Sequence, residues 1–367
     1  MDIISYVLGS HSTFAEKPFN EVDSLVLAQL SYAKLEAADT AGGRRWRSGG
    51  RIKDYYMAEY FDRFFCDAIT DDENRRLLTA LSASRRFRDV VIRDITSLSS
   101  SERSMQFAAM IFDIDSSTSV AAFRGTDGSL VGWKEDFLLS FQDEIPSQLE
   151  AAAYLNRHFG GWGGSRGRRL YVTGHSKGGN LAVYAACMCS QNVRRSIAGV
   201  HSMDGPGFSS KAGEIIEKVI SDGGINVTRI NPELSLVGML LRNYGECKVV
   251  RNYASGIIMQ HSAYSWEVKG DSFDYIEEQD WKSQYLDRTM SRWLEEATDE
   301  ERERVVETLF DTLDANGLKS VADLTGMSHS DVLNFIRELN KVDNDTKDVI
   351  TGILKSFAIS AVSSIRQ

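Results

Sequence analysis

Along residues 19–36, Val22, Leu25, Val26, Gln29 and Leu30 recur at the spacing of one helix face, which predicts an amphipathic helix. A second helical stretch is expected around residues 54–69. Over 105–126 the pattern changes to two apolar runs flanking Asp115, Ser116 and Ser117, the signature of an antiparallel hairpin. A helix over 147–159 is closed by a glycine-rich loop, and the short apolar run 169–174 reads as a buried strand followed at once by a helix over 179–190. Further strands are expected at 197–203 and 225–230 with a helix over 209–221 between them, then a short helical piece over 233–241 and a last strand at 247–253. Strands alternating with helices predict a mostly parallel sheet covered on both faces.

The texture changes near Tyr285. Beyond it the chain shows helical periodicity, abundant charge and no strand signal; Asp314 to Gly317 ends one helix and the sequence around Ser328 caps another. The expected organisation is one α/β domain over 1–285 and a C-terminal helical extension over 286–367.

Composition narrows the class. With 367 residues, 42% hydrophobic and 26% charged, the chain suits a soluble globular protein with a sizeable core. A net charge of −10 disfavours nucleic acid and anionic membranes. The basic spots at 42–51 and 164–169 are short and rich in glycine, and read as solvated loops. Cys66, Cys187, Cys189 and Cys247 lack metal-ligand spacing and form no disulfide framework. No apolar stretch reaches the length of a membrane span, and the start lacks the pattern of a signal peptide, so a cytoplasmic setting is expected.

Candidate chemistry lies at Gly174-His175-Ser176-Lys177-Gly178, a G-x-S-x-G turn between the strand at 169–174 and a helix rich in small residues. That arrangement is the one a strained nucleophile turn requires. It presents the serine hydroxyl above the carboxyl ends of the strands, beside a helix N-terminus, and the two glycines allow backbones to approach where a β-carbon would clash. A serine nucleophile needs a base. Of six histidines, His11 and His329 lie in the terminal regions, His158 ends a helix, His175 points away from the serine beside it, and His201 is a packed strand residue. His261, on a loop after the last strand, satisfies the order serine, acid, histidine. For the acid, Asp204 at the end of a strand is the first candidate and Glu233 the second. Oxyanion donors are expected from the Lys177 backbone N–H and from Thr126, where the strand ending at Phe123-Arg124 turns.

Together these residues resemble the class 3, fungal-type triacylglycerol lipase branch of the α/β-hydrolase fold. Phe123 to Thr126 with Trp133 and Asp136, and Val172 to Gly179, match its motifs, except that Lys177 stands in place of leucine. A bacterial family of lipase-like hydrolases is similar more closely, through the segments around residues 14–32, 174–182, 204–208, 235–241 and 260–266. The resemblance implies Ser176 as nucleophile, His261 as base, and Thr126 and Lys177 as oxyanion donors. It departs at the acid, because Ser235 stands where the class 3 lipases carry aspartate. Residues 127–141 take the position of the lipase lid, and their apolar side chains suit either a cover over a substrate groove or a buried helix.

The reading is a serine hydrolase acting on a carboxylic ester, with a small-molecule or lipid ester as substrate and no metal or organic cofactor. The charge of Lys177 beside the nucleophile favours a polar or anionic ester over a greasy one. Two other readings stand beside it. One is thioester or peptide-bond cleavage by the same residues; the other is a catalytically silent fold that binds a partner through its helical tail.

Overall fold

The structure, a computed structural model, describes residues 1–38, 49–66, 70–139, 142–161, 168–235, 237–254, 257–277, 298–315 and 317–320. Its frame is a nine-stranded sheet in the order β1-β2-β3-β4-β5-β6-β7-β8-β11. The strands are β1 (Gly50–Arg51), β2 (Val91–Ser100), β3 (Met105–Asp113), β4 (Thr118–Phe123), β5 (Arg169–His175), β6 (Ile197–Met203), β7 (Val227–Pro232), β8 (Glu246–Val250) and, beyond the small β9–β10 hairpin (Val268–Lys269 and Ser272–Phe273), β11 (Tyr275–Ile276). β1 to β4 pair antiparallel, β4 to β8 run parallel, and β11 closes the far edge antiparallel. This is the α/β-hydrolase fold, with the expected hairpin at 105–126 supplying β3 and β4.

Period-two alternation divides the core. From β3, Met110 and Phe112 face one apolar cluster, while Phe107, Ala109 and Ile111 face the other. The first cluster is covered by α1 (Ile3–Gly9), α2 (Glu21–Leu30) and α3 (Asp71–Ala83). The second is covered by α5 (Pro146–Phe159), α6 (Lys177–Met188) and α7 (Ser210–Ser221). Between β4 and α5 lies α4 (Leu130–Leu138), and α8 (Asp299–Ala315) follows from the C-terminal region. Val306, Leu309, Phe310 and Leu313 of α8 pack on Leu130, Leu138 and Leu139, forming a third apolar cluster. The residues proposed for a lid are thus a helix covered on its outer side. Gly317, with a positive φ of 74°, follows α8 at the expected stop.

One expectation changes. The helical stretch around 54–69 is instead a pair of 3-10 turns (Ile52–Tyr55 and Ala58–Tyr60) and a single α turn (Phe61–Phe64). Phe64 and Phe65 enter the first apolar cluster, with Met57, Tyr60 and Phe61 packed against it, and this tertiary packing overrides the helical pattern. The ordered elements α1, α3 and β2 were not anticipated; β2 shows half-exposed, polar positions with no alternation to reveal it. The boundary at 285 and the sequence around Ser328 lie outside the described residues. Among those described, no helix is long and apolar enough to cross a membrane, and all four cysteines are free thiols.

Candidate functional site

Ser176 sits between the end of β5 and the start of α6, at φ 58° and ψ −132°. A non-glycine residue rarely adopts this region, so the turn is held by its surroundings. The Ser176 amide donates to Met203 O (2.9 Å) and its carbonyl accepts from the Gly179 amide (2.8 Å). A β-carbon at Gly174 would come within 2.1 Å of Gly178 O, and one at Gly178 within 2.2 Å of Phe123 O. The glycine spacing is therefore a consequence of β5, β4 and α6 converging on one turn. Asn180, one turn into α6, donates to Pro206 O and Gly207 O and accepts from Gln148 Nε2, tying the elbow helix to the loop that carries Asp204.

Asp204 follows β6 directly, again with positive φ (48°), and is wholly buried. Its Oδ2 accepts from His261 Nδ1 at 2.6 Å. The other carboxylate oxygen takes the Gly238 amide (3.0 Å) and the Ser235 hydroxyl. Ser235, which stands where the resembled lipases carry an aspartate, thus acts as a brace for an acid brought in from the neighbouring strand. Glu233 lies elsewhere: its carboxylate accepts from the Asn252 amide at 3.4 Å. Gln260 orders the loop before His261 by accepting the Leu234 amide (2.8 Å) and donating to Ala254 O (3.0 Å), and the Gln260 carbonyl takes Trp266 Nε1 (3.0 Å).

His175 does turn away from the serine, and it reaches the other histidine. Its Nε2 meets His261 O at 2.9 Å and its ring lies 4.7 Å from the His261 ring. A carbonyl only accepts, so Nε2 carries the hydrogen and Nδ1 accepts from Tyr32 Oη at 3.2 Å. Burial, with the neighbouring His261 adding to it, pushes the His175 imidazole down to about 3, so it stays neutral. Tyr32 was missed by the sequence reading; its hydroxyl lies on Gly125, where a β-carbon would come within 2.1 Å.

On the oxyanion side, Lys177 is the first residue of α6, where helix geometry gives the amide no acceptor within the helix. Thr126 follows β4, and its hydroxyl donates to Asp136 Oδ2 at 2.5 Å. Burial pushes the Asp136 carboxyl up to about 6, against the opposing pull of Lys177 and the Thr126 bond. The expectation that Lys177 sets a charge beside the nucleophile is corrected. Its side chain is 1% exposed and its ammonium is bound to Gln106 O, Gln106 Oε1 and Glu135 Oε2, each at 2.9 Å. An unpaired buried ammonium would be too costly, so the chain folds inward onto a carboxylate instead of facing the turn.

The other histidines fall away from this cluster. His158 packs at a tilt against the Tyr154 ring, and His201 holds Ser24 Oγ at 2.6 Å and lines a polar cavity of about 430 Å³ at the amino ends of the strands. His11 is exposed, and His329 lies outside the described residues.

Residues 81–311 match the sequence model of a family described as Mbeg1-like. The chain belongs to the Mbeg1-like family. The match begins in α3 and ends in α8, so it contains the Ser176 turn, Asp204 and His261. No curated protein matches the chain. Among solved structures, this Mbeg1-like chain is similar to a lipase of Rhizopus microsporus var. chinensis (13% identity, 72% of this chain and 81% of the other covered, TM-score 0.40). It is similar also to lipase II of Rhizopus niveus (14% identity, 69% and 86% covered, TM-score 0.38). The Rhizomucor miehei lipase in its propeptide complex matches at 15% identity, with 69% and 82% covered and a TM-score of 0.40.

Proposed function

We propose that this protein is a serine hydrolase that cleaves a carboxylic ester through an acyl-enzyme intermediate. The observation that carries the reading is the 2.6 Å bond between His261 Nδ1 and the buried Asp204 carboxylate, set beside a serine in a strained strand-to-helix turn. With the Nδ1 hydrogen donated to Asp204, His261 keeps Nε2 as the basic nitrogen. In the proposed reaction Ser176 Oγ attacks the ester carbonyl carbon and its proton passes to His261. The negative oxygen is held by the Lys177 and Thr126 backbone N–H groups. The alkoxide leaves with the proton from His261, and water, activated by the same histidine, releases the acid and restores the serine.

Because the ammonium of Lys177 is neutralised by Glu135, it offers no cation to an acidic substrate, and the proposal extends to esters with uncharged, apolar acyl chains, lipid esters included. The proposed organisation is a hydrolase domain over 1–285 with a helical extension over 286–367. Four free thiols suit a reducing, cytoplasmic setting.

The test is labelling of the full-length protein with a fluorophosphonate, mapping of the modified peptide, and turnover of p-nitrophenyl ester and thioester panels. Labelling at Ser176 that is lost in Ser176→Ala and His261→Ala, together with ester turnover, is the expected result. A folded wild type that neither labels nor turns over any member of the panels would leave the binding-protein reading in its place.

A further inference from the structure

Lys177 has two ends with separate partners. Its amide faces the turn at Ser176, while its ammonium, fully enclosed, meets three acceptors with its three hydrogens. One of these, Glu135, is itself wholly buried on α4. Its Oε2 also accepts the Gln106 amide of β3, and its Oε1 accepts the Ser147 amide at the start of α5, each at 3.0 Å. A single carboxylate therefore joins the elbow, the central sheet and α5 to one point on α4. The next residue on α4, Asp136, holds the Thr126 hydroxyl, and Gly132 lies against the Thr126 methyl so closely that a β-carbon there would come within 3.0 Å of it. Glu135 fixes where α4 sits, and α4 fixes where Thr126 sits.

Buried ion pairs contribute little net stability, since desolvation offsets most of the attraction. What this pair supplies is a set distance between two backbone segments that meet at the site. We propose that Lys177 and Glu135 are positioning residues, whose ion pair holds the two oxyanion donors of the reading above in register and so acts on the transition state more than on substrate binding. The inference rests on that ester-hydrolase reading.

The double variant Lys177→Met/Glu135→Gln tests it, because it removes both charges together, keeps the side-chain shape and leaves an amide oxygen to accept from one of the two backbone amides, Ser147 or Gln106. Full-length protein is titrated with fluorophosphonate to count active serines, and kcat, KM and inhibition by phenylboronic acid are measured per active site. The boronic acid forms an oxygen–boron bond with Ser176 and yields an anionic tetrahedral adduct, the serine proton passing to His261. The expected result is a fall in kcat of roughly 10- to 100-fold and an equal weakening of boronate inhibition, with KM changed by less than about twofold. Unchanged kcat and boronate affinity would overturn the proposal and leave the pair a packing feature. A rise in KM at constant kcat would overturn it in favour of substrate binding. A wild type that does not label at Ser176 would remove the ester-hydrolase reading, and this inference with it. If circular dichroism shows the double variant to melt early, kcat, KM and boronate inhibition are read by the same criteria at a temperature below its transition.

Discussion

Two buried ion pairs invite comparison. Arg86 and Asp23, at 2.6 Å, lie under the N-terminal helices with both side chains essentially enclosed. Arg86 also donates to the carbonyls of Ser12, Thr13, Lys17 and Pro18, and Asp23 takes the Tyr6 hydroxyl. This pair ties the irregular chain of residues 12–18 to α2. Lys177 and Glu135, at 2.9 Å, are equally enclosed and equally satisfied, yet they bridge elements that carry candidate chemistry. Similar burial thus serves two ends, and what differs is the position of the partners in the fold and the shape of the cation. A guanidinium suits the first because its planar fork reaches many acceptors, while a compact ammonium suits the second, which needs one fixed point.

The comparison can be broken most forcefully at Arg86. Arg86→Met leaves the buried Asp23 carboxylate without its counter-ion, and is expected to cost about 3–5 kcal/mol by thermal or denaturant unfolding. Fluorophosphonate labelling per folded molecule should stay at the wild-type level; a parallel loss of labelling would mean that the two pairs are not separable.

Next in size is the response to acid. His175 near the site and His201 on the far side are held down to about 3 and about 4 by burial, so both stay neutral in the native state while the unfolded chain protonates near 6.5. The unfolded state then binds more protons, so stability falls as pH falls from 6.5, by about 1.4 kcal/mol per pH unit for each histidine. Urea melts between pH 7 and 5 should show this fall, and His201→Asn should lower the slope by up to about 1.4 kcal/mol per pH unit.

Asp136 gives a smaller effect of opposite sign. With its folded value raised to about 6, ionising this carboxylate opposes folding, and the penalty is absent below about pH 4 and complete above about pH 6. Asp136→Asn should therefore gain stability relative to wild type as pH rises through that window, by at most about 3 kcal/mol. If Thr126 depends on the anionic acceptor, turnover should fall by about tenfold or less. Least in size is the response to an interface. Since α4 is held by Glu135 within and by α8 outside, rate against ester concentration should pass through the solubility limit without a jump, as a turbidity-matched assay would show.

The turn at Ser176 was legible in the sequence because local rules suffice there: a buried strand, two glycines that backbones must approach, and a small-residue helix. His261 was reachable by chain order and elimination. Asp204 was separable from Glu233 only once β6, β7 and the loop after β8 stood side by side, since Asp204 and His261 lie 57 positions apart with no periodic signal of their meeting. The contact of Tyr32 with His175 was hidden for the same reason, the two lying 143 positions apart.

The sequence by itself determined the alternating α/β order and the strained turn at Ser176, because each depends on neighbours within a few residues of chain. Tertiary structure alone decided which acid meets His261, that Ser235 braces it, and that the charge of Lys177 turns inward to Glu135. A side chain's ionic role is set by whatever the fold brings within about 3 Å of it, and strands and helices distant in sequence supply those partners.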